Sequence, residues 1–143
     1  MIEFRGVGHA YEGRVVLDDI DLTLSERRIG IIGANGSGKS TLARMINALV
    51  VPDRGSVTVN GIDAARDKRR VRKEVGFIFS DPDRQIIMPT VIEDIELSLT
   101  RTVRDRAERS ARAAAVLAQF GLADHADHPA HRLSGGQKQL LAL

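Results

Sequence analysis

The chain has 143 residues, with 21 Lys and Arg against 19 Asp and Glu, 43% hydrophobic residues, no tryptophan and no cysteine. This length suits one domain or part of one, and the share of Leu, Ile, Val and Phe is clear of the roughly 20% below which chains stay disordered. The lack of cysteine excludes thiol catalysis, Cys-ligated zinc and a disulfide framework, and a net charge of +2 is too small to imply nucleic acid by itself.

Short β-branched segments fill the first half, and residues 2–4, 14–17, 20–24, 29–32, 56–59 and 75–79 each read as a strand. Ser56-Val57-Thr58-Val59 alternates polar and apolar, as a strand with one wet face does. Ile29-Gly30-Ile31-Ile32 is apolar throughout, which places it at the centre of a sheet covered on both faces. Pro52-Asp53-Arg54-Gly55 and Asn60-Gly61 bracket the alternating strand with turn chemistry.

From about residue 90 onward Ala, Arg, Glu and Leu take over and helices follow. Thr90-Val91-Ile92-Glu93 reads as a capping box, and Asp105-Arg106-Ala107-Glu108 repeats it with Asp. Ala113, Val116, Leu117 and Phe120 share one helical face, and Gly121 stands where a left-handed cap would end the helix. The expected organisation is a β-rich lobe over residues 1–88, a helical lobe over 89–133 and the start of a further helix over 134–143. That last run, Gln139-Leu140-Leu141-Ala142-Leu143, ends inside an apolar helix with no cap, which reads as truncation.

No uncharged apolar run approaches the roughly 18 residues of a membrane span, and no apolar stretch of a secretory signal follows the charges at the start. The expected location is therefore the cytosol.

Gly33-Ala34-Asn35-Gly36-Ser37-Gly38-Lys39-Ser40 matches G-x-x-x-x-G-K-[ST], after an apolar segment and before the helical run from Thr41 to Leu49. Its glycines let successive amides point at phosphate oxygens, and the following helix adds partial positive charge at its start. Lys39 is placed to neutralise the β- and γ-phosphates, Ser40 to ligand Mg²⁺ and Thr41 to reach the α-phosphate. The motif implies a nucleoside triphosphate, without distinguishing kinase, GTPase, helicase or transport motor.

A second motif decides among these. In Leu133-Ser134-Gly135-Gly136-Gln137, Ser134 is a good N-cap and the two glycines leave the amides of a helix start bare, which offers a second anion site. Together the two motifs resemble the ATP-binding cassette ATPases, in which Leu-Ser-Gly-Gly-Gln is the signature and the phosphate loop is Walker A. The resemblance implies an α/β, P-loop NTPase fold with an N-terminal β-rich subdomain, a helical subdomain and, over this length, an incomplete core sheet. It places Tyr11 as the aromatic that stacks on adenine, worth about 1–3 kcal/mol. It also implies head-to-tail pairing with a second ATPase chain, identical or different. Ser134, Gly135, Gly136 and Gln137 of one chain would then face the γ-phosphate held by Lys39 of the other.

The stretch from Val75 to Gln85, continuing through Met88-Pro89-Thr90-Val91-Ile92-Glu93-Asp94, resembles the ATPase subunits of energy-coupling factor importers for vitamins and transition metals such as biotin or cobalt. The implied partners are a transmembrane energy-coupling subunit and a substrate-binding membrane subunit, with the chain peripheral on the cytoplasmic face of the cell membrane. Ser80 stands at the Q-loop position, where the family has a glutamine. The family's Walker B Asp, catalytic Glu and switch His match nothing within residues 1–143, so no catalytic residue is assigned. The chain alone is expected to bind ATP with Mg²⁺ weakly and to hydrolyse it poorly or not at all, while the full-length protein would be an ATPase.

Two other readings stay open on the sequence: a non-hydrolytic regulatory or fragmentary cassette module, and a soluble cassette protein of translation or DNA repair. The modest charge and the Pro89-Thr90-Val91 pattern disfavour the latter, and no nucleic-acid partner is expected. His125, His128 and His131 beside Asp124 and Asp127 suggest a metal site, but Pro129 interrupts any helix that would align them and a solvated loop is expected. The basic run from Arg66 to Lys73 lacks interleaved aromatics and reads as an exposed helix. Asp81 and Asp83 flank Pro82 as turn caps.

Overall fold

In the computed structural model, which describes residues 1–143, the first strand β1 (Ile2–Tyr11) folds back onto β2 (Arg14–Leu24) as a long antiparallel hairpin. Glu12 and Gly13 at its tip both have positive φ, the turn whose twist matches that of paired strands. The two strands expected at 14–17 and 20–24 are one, bent at Asp19, where φ is 49° and the ladder shifts register. On its other edge β1 pairs with β3 (Arg54–Val59), which turns at Asn60-Gly61 into the short β4 (Ile62–Asp63), for a sheet order of β2-β1-β3-β4.

Gly55 explains how β1 and β3 come so close. Its φ is +77°, and a Cβ there would lie 2.3 Å from the Arg5 carbonyl oxygen and 2.4 Å from that of Gly6. Only glycine fits this crossing.

Phe4, Val7, Leu17, Val57, Val59 and Ile62 of the sheet enclose a core with Met45 of α1 (Lys39–Ile46) and Val71 of α2 (Lys68–Glu74). The basic run is thus a helix, begun by the Asp67 carboxylate accepting from the Arg70 amide at 3.1 Å. Not all of it is solvated. Arg72 donates to the Ala48 carbonyl at 3.0 Å, just past the end of α1, and Asn47 donates to the Val75 carbonyl at 2.7 Å, just past the end of α2, which satisfies backbone groups at both helix ends.

Two expected strands are corrected. Residues 29–32 and 75–79 join no sheet, and the only sheet is antiparallel. A segment apolar on both faces forms a strand only when neighbours on both sides take up its N–H and C=O groups, and no other segment of residues 1–143 pairs with either one. Ile29, Ile31 and Ile32 are exposed, Ile32 at 98%.

The chain divides into two compact units, Met1–Phe77 and Ile78–Leu143. The second holds α3 (Val91–Leu99), α4 (Arg106–Gln119) and α5 (Gly135–Leu141), with a core of Val91, Leu117, Leu122, Ala130, Leu133 and Leu141. The capping box at α3 is formed, with the Thr90 amide donating to Glu93 at 3.1 Å, and Asp105 begins α4 by accepting from the Glu108 amide at 2.8 Å. Gly121, at φ +69°, ends α4 in a Schellman motif: the Gly121 amide bonds the Ala118 carbonyl and the Leu122 amide bonds that of Leu117.

Residues 79–88 belong with these helices because side chains of the helical unit hold them. The Asp94 carboxylate, 9% exposed as a residue, accepts from the Ile87 and Met88 amides at 2.8 and 2.9 Å. Gln85 accepts from the Phe79 amide at 2.7 Å, and Lys138 of α5 reaches Asp83 at 2.7 Å. Asp81 caps the turn Pro82–Arg84, as its position before proline suggests. No helix is long and apolar enough to cross a membrane.

Candidate functional site

The loop from Gly33 to Ser40 owes its shape to three glycines. Gly36 and Gly38 have φ of +81° and +86°. A Cβ at Gly38 would also lie 2.9 Å from the Leu17 side chain and 3.0 Å from the Val16 carbonyl, so the loop packs directly on β2. At Gly33 a Cβ would meet the Ser37 hydroxyl at 2.8 Å. The Lys39 ammonium then folds back and donates to the Gly33 and Ala34 carbonyls at 2.8 and 2.7 Å.

Gly38 supplies no side-chain cap to α1, so the amides of its first turn face outward for an acceptor from elsewhere. The cleft over them has a volume of about 460 Å³ and is lined by Tyr11, Arg14, Val16 and the run from Asn35 to Thr41. Gly33 and Ala34 do not line it; they contribute through their carbonyls on Lys39. The lining holds two cationic side chains, Arg14 and Lys39, and no carboxylate. With the partial positive charge of the helix start, that chemistry suits a polyphosphate. Ser40 is exposed and Thr41 is buried. At a phosphate loop of this kind Mg²⁺ is held by the loop's Ser or Thr hydroxyl, the phosphates and a carboxylate, and the exposed Ser40 hydroxyl suits the first of these roles.

Tyr11, 46% exposed, stands at the mouth of this cleft at the end of β1. The His9 ring meets it edge-on, with centroids 4.7 Å apart and planes at 87°. His9 Nδ1 lies 3.1 Å from the Asp53 carboxylate, off the line of a good hydrogen bond. Sequence reasoning passed over His9 and Arg14. Only the strand alternation from His9 to Tyr11 and the hairpin turn before Arg14 hinted at them.

In the helical unit Ser134 is the N-cap of α5 and closes a second capping box: its hydroxyl accepts from the Gln137 backbone amide at 3.3 Å, and the Gln137 side-chain Oε1 accepts from the Ser134 backbone amide at 2.9 Å. Gly135 and Gly136 are exposed, and a Cβ on either would meet nothing within 4 Å. The three histidines do not converge on one point: His125 and His128 face each other at 2.9 Å between Nδ1 atoms, whereas His131 is exposed in the turn Ala130–Arg132. Ser80 is exposed beside the Phe79 peptide that Gln85 holds.

Residues 17–143 match the family model described as ABC transporter. The chain belongs to the ABC transporter family. It is 51% identical over 143 residues to a protein of Deinococcus radiodurans described only as an ABC transporter ATP-binding protein, with no cargo in its name. It is 48% identical over 142 residues to the biotin transport ATP-binding protein BioM of Rhizobium etli. Each match takes in 99 to 100% of this chain and 63% of the relative. The energy-coupling factor transporter ATP-binding protein EcfA1 of Symbiobacterium thermophilum is 41% identical over 133 residues, covering 91% of this chain and 46% of that protein. Among solved structures, CbiO1 of Clostridium perfringens, part of an ABC transporter complex, superposes with a TM-score of 0.79 at 28% identity over 99% of this chain and 58% of that one. The α/β, P-loop NTPase fold implied by the resemblance is thereby established, and the chain spans under two thirds of the length of these relatives.

Proposed function

We propose that this chain is the ATP-binding portion of the ATPase subunit of an energy-coupling factor importer, for a vitamin or transition metal such as biotin or cobalt. The observation that carries the ATP assignment is the uncapped start of α1 under the Gly36 and Gly38 turns, with Lys39 folded into the loop. In this reading the loop amides and Lys39 hold the β- and γ-phosphates, Ser40 reaches Mg²⁺, Thr41 lies by the α-phosphate and Tyr11 stacks on the base.

The signature supports pairing with a second ATPase chain. Glycine inside a helix costs about 1 kcal/mol relative to alanine, and neither Gly135 nor Gly136 is required by a positive φ or by a neighbour in this chain. Such glycines make sense where a group from outside must approach the backbone closely, here the γ-phosphate held by the partner chain. Two further points support the importer assignment: the residues from Pro82 to Asp94 follow the energy-coupling pattern, and two of the relatives carry biotin transport and energy-coupling factor in their names. The membrane partners would be an energy-coupling subunit and a substrate-binding subunit, with this chain on the cytoplasmic face.

The test is genetic. Deleting the coding gene should abolish high-affinity uptake of one vitamin or transition metal, restored by the intact gene and not by one carrying Lys39→Ala. Normal uptake across a panel of vitamins and transition metals would refute the importer assignment.

A further inference from the structure

The capping box of α5 does not stand alone. The Gln137 side-chain Oε1 is taken by the Ser134 amide, and the Nε2 of the same side chain lies 2.9 Å from His125 Nε2. His125 Nδ1 in turn lies 2.9 Å from His128 Nδ1. Proton bookkeeping leaves one solution for this chain of contacts. If the Gln137 amide were turned over, its NH₂ would face the Ser134 N–H, donor against donor. The NH₂ group therefore donates to His125 Nε2, which must be an unprotonated acceptor. A neutral His125 then carries its proton on Nδ1 and donates it to His128 Nδ1, and a neutral His128 keeps its own on Nε2.

We propose that His125, as the neutral imidazole protonated at Nδ1, is the positioning residue that locks the Gln137 side chain and so holds the 134–136 turn in its capped form. A second proton on His125 puts N–H against the Gln137 NH₂, and one on His128 puts N–H against the His125 N–H. Either one breaks a link, so the contacts as they stand need both rings neutral. The other charged groups of the surrounding elements have their own environments. Asp124, Asp127, His131 and Arg132 are exposed, Glu93 and Asp94 at the start of α3 are engaged by Thr90 and by the 87–88 amides, and Lys138 is paired with Asp83. The importance of this lock for nucleotide chemistry rests on the proposed role of Ser134 and its glycines, whereas the lock itself is read without nucleotide.

The test is ¹⁵N NMR of the intact chain under mildly alkaline conditions. The expected spectrum shows His125 with a bare Nε2 and a protonated Nδ1, and His128 with the reverse. The opposite tautomer at His125 overturns the proposal. In His125→Phe the Ser134 amide should exchange roughly fivefold faster, as the loss of one modest hydrogen bond implies, and His125→Gln, whose amide oxygen can accept, should restore most of the protection. Equal exchange in the parent and in His125→Phe contradicts the lock. Should His125→Phe fail to fold, the tautomer measurement on the parent still decides. Because no nucleotide is present, failure here is separate from failure of the signature reading, which Ser134→Arg tests.

Discussion

The Lys39 ammonium donates to the Gly33 carbonyl at 2.8 Å, so the last residues of the phosphate loop are tied to its first before any ligand arrives. A second bond to Ala34 at 2.7 Å uses another of the three ammonium protons. The charge is held inside the loop by neutral carbonyls, with no carboxylate to be displaced. An incoming phosphate therefore meets a cation already in place and pays little for ordering it.

Tyr11→Ala should weaken ATP binding by about 1–3 kcal/mol, the usual worth of a base on an aromatic ring. Tripolyphosphate, which has no base, should bind parent and variant alike. Titration of both ligands checks this, and an equal loss for the two would mean that Tyr11 shapes the loop instead of receiving the base.

Ser134→Arg should leave ATP binding by the full-length protein intact and stop its hydrolysis, because the substituted turn lies in the unit that does not contain the phosphate loop. Nucleotide titration beside a phosphate-release assay separates the two effects. A lost affinity would mean that the signature serves the nucleotide of its own chain.

Asp94→Ala should lower stability by about 1–3 kcal/mol, since it strands two part-buried amides, those of Ile87 and Met88. Both bonds fall on the same carboxylate oxygen, so Asp94→Asn, which keeps one oxygen, should cost less. Thermal unfolding of the three proteins gives the order parent, Asn variant, Ala variant, and a reversed order of the two variants would contradict this role.

Much of the helical unit was legible because its signals are local. Thr90 with Glu93, Asp105 with Glu108, and Gly121 after Phe120 each specify a cap within a few residues, and the caps form, although at α4 only the Asp105 half of the expected box is made, because the Glu108 carboxylate accepts from Arg112 instead. The phosphate loop was legible for the same reason: Gly36 and Gly38 take the positive φ that only glycine adopts cheaply. Residues 29–32 and 75–79 misled because apolar character says that a segment wants cover without saying which strand supplies it. Pairings across long separations were illegible, as with Gln139 donating to the Phe79 carbonyl or His125 meeting Gln137, since no periodicity encodes them.

Titration of the chain with ATP and Mg²⁺, parent against Lys39→Ala, tests the central claim most directly. The parent should bind ATP, tripolyphosphate should compete, and removing the charged donor should weaken both ligands by about ten- to a hundredfold, the equivalent of a charge-assisted hydrogen bond. Equal affinity in Lys39→Ala, or ATP binding that tripolyphosphate does not displace, would contradict the assignment of this cleft to a nucleoside triphosphate.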